Sequence, residues 1–357
     1  MRRASLLAAA SLALGACAPT TSTGSLPLEV LVVLDSLDHT LRMIPVDSPT
    51  VVREIDLGGA LGFTPSFLAA RGRKAVVAGN DGSTARIAIV DLAASGIQDI
   101  VTLLDGQIAA VAIADDDHAF IGSWTSGAIS RINLANGAVE LLAAPGGPQG
   151  FAVTRGKVFA TIGNRQACAI DPIACGRGPS WLIQAEPDLP RDSVPLSGPG
   201  NAGPSAIGAD GLVYVLSEGD DFANGEGRLS IVDPIRNSEI ASFGGVGPLI
   251  PSWIINDGGE RMLIASGPGG LLVFNTRLRR FTLPFGNGIP LEFPTDLVGD
   301  AIGRAYVLQR GGCSAAAPGR VRVFGTSLIE QLSIQAGSCP IAAAIAEVPA
   351  DRFFDQP

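Results

Sequence analysis

RLSIVDPIRNSEIASFGGVGPLIPSWIINDGGERMLIAS, Arg228 to Ser266, is the stretch from which the fold can be worked out. Four apolar-rich segments in it are separated by turn chemistry. RLSIV alternates and halts at Asp233-Pro234, EIASF follows, a Gly/Pro stretch leads into PSWII, and Asp257-Gly258-Gly259 turns the chain into RMLIAS. Runs of this length, rich in β-branched and aromatic side chains and bounded by Gly, Pro, Asn and Asp, are short antiparallel strands.

The same pattern recurs on both sides. An acidic or amide residue closes one strand type at Asp47, Asp91, Asn133, Glu186, Asp233 and Asn275, with Gly325 in the last copy. The intervals of 44, 42, 53, 47, 42 and 50 residues lie where four-stranded propeller blades repeat. The longest interval holds a 15-residue insertion, Arg165 to Pro179. A second marker is the proline that opens the apolar strand after each loop: Pro65, Pro148, Pro204, Pro251, Pro294 and Pro340, with Ile108 in the remaining copy. Proline suits the first position of a strand, where its missing N–H leaves no ladder bond unmade.

Each copy continues into a strand apolar on both faces, such as KAVVA from Lys74, LVYVLS from Leu212 and RAYVL from Arg304. The seventh equivalent, LEVLVVL (Leu28 to Leu34), has no proline strand before it, and PIAAAIA (Pro340 to Ala346) has no successor. The two are therefore expected to share a blade. Glu29–Leu34, Leu41–Val46 and Val51–Leu57 would supply three of its strands and Pro340–Ala346 the fourth. Closure of this kind leaves no open sheet edge. The expected fold is all-β: a seven-bladed β-propeller over residues 28–349, closed by N-terminal strands plus one C-terminal strand, with 350–357 as a tail.

The unit resembles the YVTN-type repeat of seven-bladed propellers. Tyr214-Val215-Leu216-Ser217 and Tyr306-Val307-Leu308-Gln309 stand where that family writes its tetrapeptide, although the literal tetrapeptide is absent. The Trp-Asp ending of WD repeats and the recurring glycine pair of kelch repeats are both missing.

With 46% hydrophobic and 17% charged residues among 357, the chain can bury a large core. A net charge of -9, with Lys74 and Lys157 as the lysines and the arginines scattered, argues against a phosphate-binding basic face, so no nucleic-acid partner is expected. Arg2-Arg3 precedes the apolar run Ala4 to Leu14, which is too short to span a bilayer and suited to a secretory signal over residues 1–16. Leu14-Gly15-Ala16-Cys17 resembles the bacterial lipobox, which implies lipidation of Cys17, including palmitate; an ordinary signal peptide with an incidental cysteine is the alternative. Residues 17–27 would then be the lipidated cysteine and a polar tether. The expected location is the bacterial cell envelope, periplasmic or outer surface. The lipid would be the sole membrane contact, and the protein a monomer.

The remaining cysteines, Cys168, Cys175, Cys313 and Cys339, are even in number, as two disulfides in an oxidising compartment require; buried free thiols are the other reading. Cys313 and Cys339 belong to loops expected on one face of the ring. Cys168 and Cys175 would pin the insertion.

The sequence holds no nucleophile elbow, P-loop or metal-spaced histidine pair; its histidines are His39 and His118. Asp220, Asp221, Asn224 and Glu226 in GDDFANGEG carry oxygen ligands for calcium, but without EF-hand spacing, and a solvated acidic loop is the plainer reading. Asp115-Asp116-Asp117-His118 is expected to be a turn.

The residues after the marker prolines are more informative. Ser66, Gln149, Ser205, Ser252 and Thr295, with Ala109 and Ile341 in the other copies, would ring the mouth of the central channel, joined by the single early charge Asp296. The competing role for these hydroxyls is to satisfy backbone groups. Trp253 is expected to pack within a blade. Propeller lactonases, which this architecture resembles, use channel carboxylates on calcium with nearby histidines; here Asp296 stands without an inner-strand histidine. Quinone-dependent propellers fit poorly, because the three tryptophans do not recur per blade. No cofactor is expected. The function expected is a non-enzymatic scaffold or binding module for an envelope protein or small ligand. A lactonase-like hydrolase and a small-ligand sensor are the alternatives.

Overall fold

The computed structural model describes residues 27–354 apart from 82–83, 104–106, 145, 155–156, 164–178, 186–192, 219–226 and 250–251. Within it the alternation of strand and turn residues produces seven four-stranded antiparallel sheets. Seven strands form the inner ring: Thr64–Arg71, Ile108–Ile113, Pro148–Thr154, Ala202–Ile207, Ser252–Asn256, Pro294–Gly299 and Pro340–Pro349. Each inner strand packs against the next, and the cycle closes between the last and the first.

In six blades the strand order follows the chain. In the seventh, Pro340–Pro349 pairs with Pro27–Asp35, which continues to Thr40–Pro45 and Arg53–Asp56. The mixed-termini closure is therefore present. Its outermost strand is shorter than expected, leaving Val51 and Val52 exposed before it. The stretch Arg228 to Ser266 straddles two blades. Arg228–Asp233 and Ser238–Phe243 are the outer strands of one, and Ser252–Asn256 and Arg261–Ser266 the inner strands of the next.

Second strands such as Val213–Ser217 and Ala305–Gln309 are buried at every position because a neighbouring blade covers each face. Between those two blades of the opening stretch, Tyr214, Leu229 and Ile231 meet Met262, Ile264 and Phe274 in one apolar cluster. The Phe274 ring lies 6.1 Å from that of Tyr214 and 5.0 Å from that of Phe243.

Recurrent aspartates and asparagines hold the turns. Asp91, Asn133 and Asp233 each accept backbone N–H bonds from the residues two and three ahead, at 2.9 to 3.2 Å. These are Asx turns, which explains the acidic or amide residue that closes the repeat. The turns between first and second strands use a related device. The Tyr214 hydroxyl donates to Asp210 at 2.7 Å and the Tyr306 hydroxyl to Asp300 at 2.9 Å. Both tyrosines at the tetrapeptide positions thus anchor turns. Asp115 does the same, accepting from Asp117 N–H at 2.9 Å and lying 3.0 Å from His118 Nδ1, in keeping with a turn.

The closing seam is stitched by side chains. Cys313, in a loop of the last chain-ordered blade, forms a disulfide with Cys339, just before the closing strand. Buried Asp35 accepts N–H bonds from Leu37, Asp38 and Cys339, each at 2.9 Å. Thr295 Oγ1 donates to the Pro340 carbonyl at 3.2 Å, and Asp296 Oδ2 accepts from Ala343 N–H at 2.7 Å. After the closing strand, Ala350–Phe354 is a short helix whose Phe353 is buried in the apolar cluster beneath the first blade, so this part of the tail is anchored.

Pro204 departs from the marker rule, standing third in its strand. Cys17, Cys168, Cys175, Asp220, Asp221, Asn224 and Glu226 lie outside the described residues.

Candidate functional site: the central channel

Six of the seven inner strands begin with a break in register. The breaks fall between Pro65 and Phe67, Ile108 and Ala110, Pro148 and Gly150, Ala202 and Ser205, Pro294 and Asp296, and opposite Leu34–Asp35 at the start of the closing strand. The residue after the marker, as at Ser66, Gln149 and Thr295, has no opposite partner on the neighbouring strand. A bulge of this kind re-aims a side chain and sharpens the local twist.

These strand starts surround one cavity of about 570 Å³ to which all seven inner strands contribute. Ser66, Gln149, Ser205, Ser252, Thr295 and Asp296 all line it. Trp253 lines it too. It packs against an inter-blade cluster, as expected, but also walls the channel. Two lining residues, Glu218 and Trp124, come from just beyond second strands. No motif marks them; the only sequence signal for Glu218 is an acid directly after YVLS.

The polar groups divide by their partners. Ser66 Oγ reaches its own turn at the Thr64 carbonyl, 3.5 Å away, and Thr295 serves the seam. For these two the backbone-satisfying role holds. Ser252 Oγ donates to Glu218 Oε1 at 2.8 Å, joining two neighbouring blades. Gln149 Nε2 and Ser205 Oγ are buried without a hydrogen-bond partner among the described residues. Buried polar atoms of this kind cost free energy unless something else satisfies them.

Asp296 is the acid whose charge the fold opposes. Its side chain is half-buried and faces the channel. Burial pushes the carboxyl up to about 7, against the opposing pull of N–H bonds from Ala343 and Leu297. No charged neighbour contributes to that shift. His39 and His118 are not part of the lining, and among the described residues no three His, Cys, Asp or Glu side chains converge as a metal site.

A second cavity, about 860 Å³, adjoins the channel and shares Trp253, Thr295 and Ile341 with it. Its remaining walls include Pro268, Leu291, Phe293, Pro294 and Arg310.

A closed ring of seven antiparallel blades around a polar channel defines a seven-bladed β-propeller. No family model matches the chain, and no curated protein matches it. Solved structures do. The hydrazine synthase of Kuenenia stuttgartiensis aligns with a TM-score of 0.56 at 13% identity, covering 74% of this chain and 77% of that one. Apo AztD from Citrobacter koseri aligns with a TM-score of 0.51 at 12% identity, covering 90% of this chain and 98% of that one. At such identities the likeness is one of fold.

Proposed function

We propose that this protein is a lipid-anchored, extracytoplasmic propeller of the YVTN type that acts as a non-enzymatic binding module of the bacterial envelope, using the channel and its mouth as the binding surface. The observation that carries the reading is the convergence of seven inner-strand starts on one cavity, which holds buried polar atoms without partners among the described residues. Such a cavity is the default place for a ligand in a ring of this kind. The Cys313–Cys339 disulfide favours an oxidising compartment, and the Leu14 to Cys17 segment favours an anchor there.

Two measurements test this reading. Metabolic labelling with a palmitate analogue should mark the wild-type chain and not Cys17→Ala; label retained by the variant refutes the anchor. Affinity capture from solubilised envelopes should recover a specific protein or small ligand, lost when channel residues are replaced. Turnover of a small substrate with no captured partner would refute the binding role.

A further inference from the structure

The chemistry of the channel and its mouth narrows the class of guest. Two acids, Asp296 and Glu218, belong to the channel wall, and among the described residues no Lys or Arg side chain lines it. The chain's net charge of -9 adds a long-range field of the same sign. Phe67, Phe151, Trp124 and Trp253 are the aromatic part of the lining, and aromatic faces attract cations through their quadrupoles.

The mouth adds an independent observation. Phe293, on the wall of the adjoining cavity, is 69% exposed and sits at φ 46°. The left-handed region is a costly conformation for a bulky side chain. Its carbonyl is held there by the N–H of Arg310 at 3.2 Å. An aromatic residue kept exposed on strained backbone beside a cavity is a feature of ligand sites, since burial cannot explain it.

We propose that the channel and its vestibule bind an organic cation with an apolar body, a protonated amine whose head enters toward Asp296 and Glu218 and whose aromatic or aliphatic part rests on Trp253 and Phe293. The inference deepens the binding-module reading and depends on it. Each Asp296 oxygen accepts one backbone bond, which leaves lone pairs for an ammonium donor. The Ser205 hydroxyl and Gln149 amide, without a partner among the described residues, offer further polar contacts along the channel.

Among the elements packed on the Asp296 strand, Ile341 to Ala343 and Ser252 to Ile254 are uncharged, Asp296 itself pairs with Leu308, and the ionisable neighbours Tyr306 and Arg261 are engaged by Asp300 and Asp257. Glu218 is the other acid of the channel wall, and Arg310 and Glu292, the latter paired with Arg320, belong to the outer vestibule. A bound ammonium therefore selects the ionised carboxylate, and binding tightens as pH rises through the range where Asp296 titrates.

A matched series separates charge from shape: phenethylammonium, phenylacetate and 2-phenylethanol, titrated into the full chain by calorimetry and by quenching of tryptophan fluorescence. Phenethylammonium should bind at least tenfold more tightly than the other two, and about tenfold more tightly at pH 8 than at pH 6. Asp296→Asn and Glu218→Gln should each weaken it about tenfold and Phe293→Ala severalfold, with unchanged circular dichroism and with Ile235→Ala, on a turn of another blade, as a neutral control. Glu218→Gln keeps the test open if Asp296→Asn disturbs the seam. Preference for phenylacetate, equal binding of all three, or insensitivity to all three channel variants overturns the proposal. If no member binds while envelope capture still succeeds, the ligand class fails and the binding-module reading survives.

Discussion

Ring closure is reinforced by a covalent link, Cys313–Cys339, whose contribution follows from the loop it closes. Cys313 and Cys339 are 26 residues apart, and the loop between them contains the last two strands of their blade, Gly319–Phe324 and Glu330–Gly337. On the loop-entropy model, a cross-link over that separation removes about 3.5 kcal/mol of conformational freedom from the unfolded chain. For the roughly 290 described residues the melting entropy scales to about 0.6 kcal/mol/K, so the loss of the bridge should lower the melting temperature by roughly 6 °C. Replacing both cysteines by serine avoids a lone thiol and leaves in place the backbone bonds of Cys339, from its N–H to Asp35 and from Ser36 N–H to its carbonyl. Near-ultraviolet circular dichroism of the full chain, without reductant, should show the lower melting point with native spectra at 25 °C. A double variant melting within 1 °C of the wild type would refute the view that the bridge reinforces the seam.

Two further outcomes follow from buried acids. The folded-state pKa of Asp296, about 7, lies above the ordinary aspartate value of 3.8. Between those values the folded protein holds more proton than the unfolded one, so stability is fully present at low pH and falls as pH rises, by at most about 4 kcal/mol once pH exceeds 7. Urea midpoints for Asp296→Asn should match the wild type near pH 4 and exceed it at pH 8; a difference independent of pH contradicts the burial argument. Gly337 occupies φ 121°, and a Cβ there would collide with Asp35 Oδ2, the acceptor of the Cys339 N–H. Gly337→Ala should cost about 2 kcal/mol or more in the same assay, and a neutral result would mean that the Asp35 latch is dispensable.

Much of the architecture is written in short-range signals. Turn residues at Asp233-Pro234 and Asp257-Gly258-Gly259, the Asx closures and strands apolar on both faces are local patterns. A local pattern repeated seven times reports its own period. The leftover strand at each end, Leu28 to Leu34 and Pro340 to Ala346, then permits closure in one way. The channel candidates were legible for the same reason, since each follows a repeat marker.

What tertiary structure alone decided is which of those residues meet, and what each one meets. No pattern announces that Pro65 and Pro294 precede a bulge, because a bulge is a mismatch between two strands. The partners of Thr295 and Asp296 lie 45 and 47 positions away, on the strand that closes the ring. Glu218 acquires meaning only when Ser252 of the next blade is brought to its carboxylate. Local propensity and hydrophobic period act within a few residues, so they specify blades. Desolvation of an acid and the convergence of seven strand starts arise only when distant segments share one volume, and these properties make the channel a site.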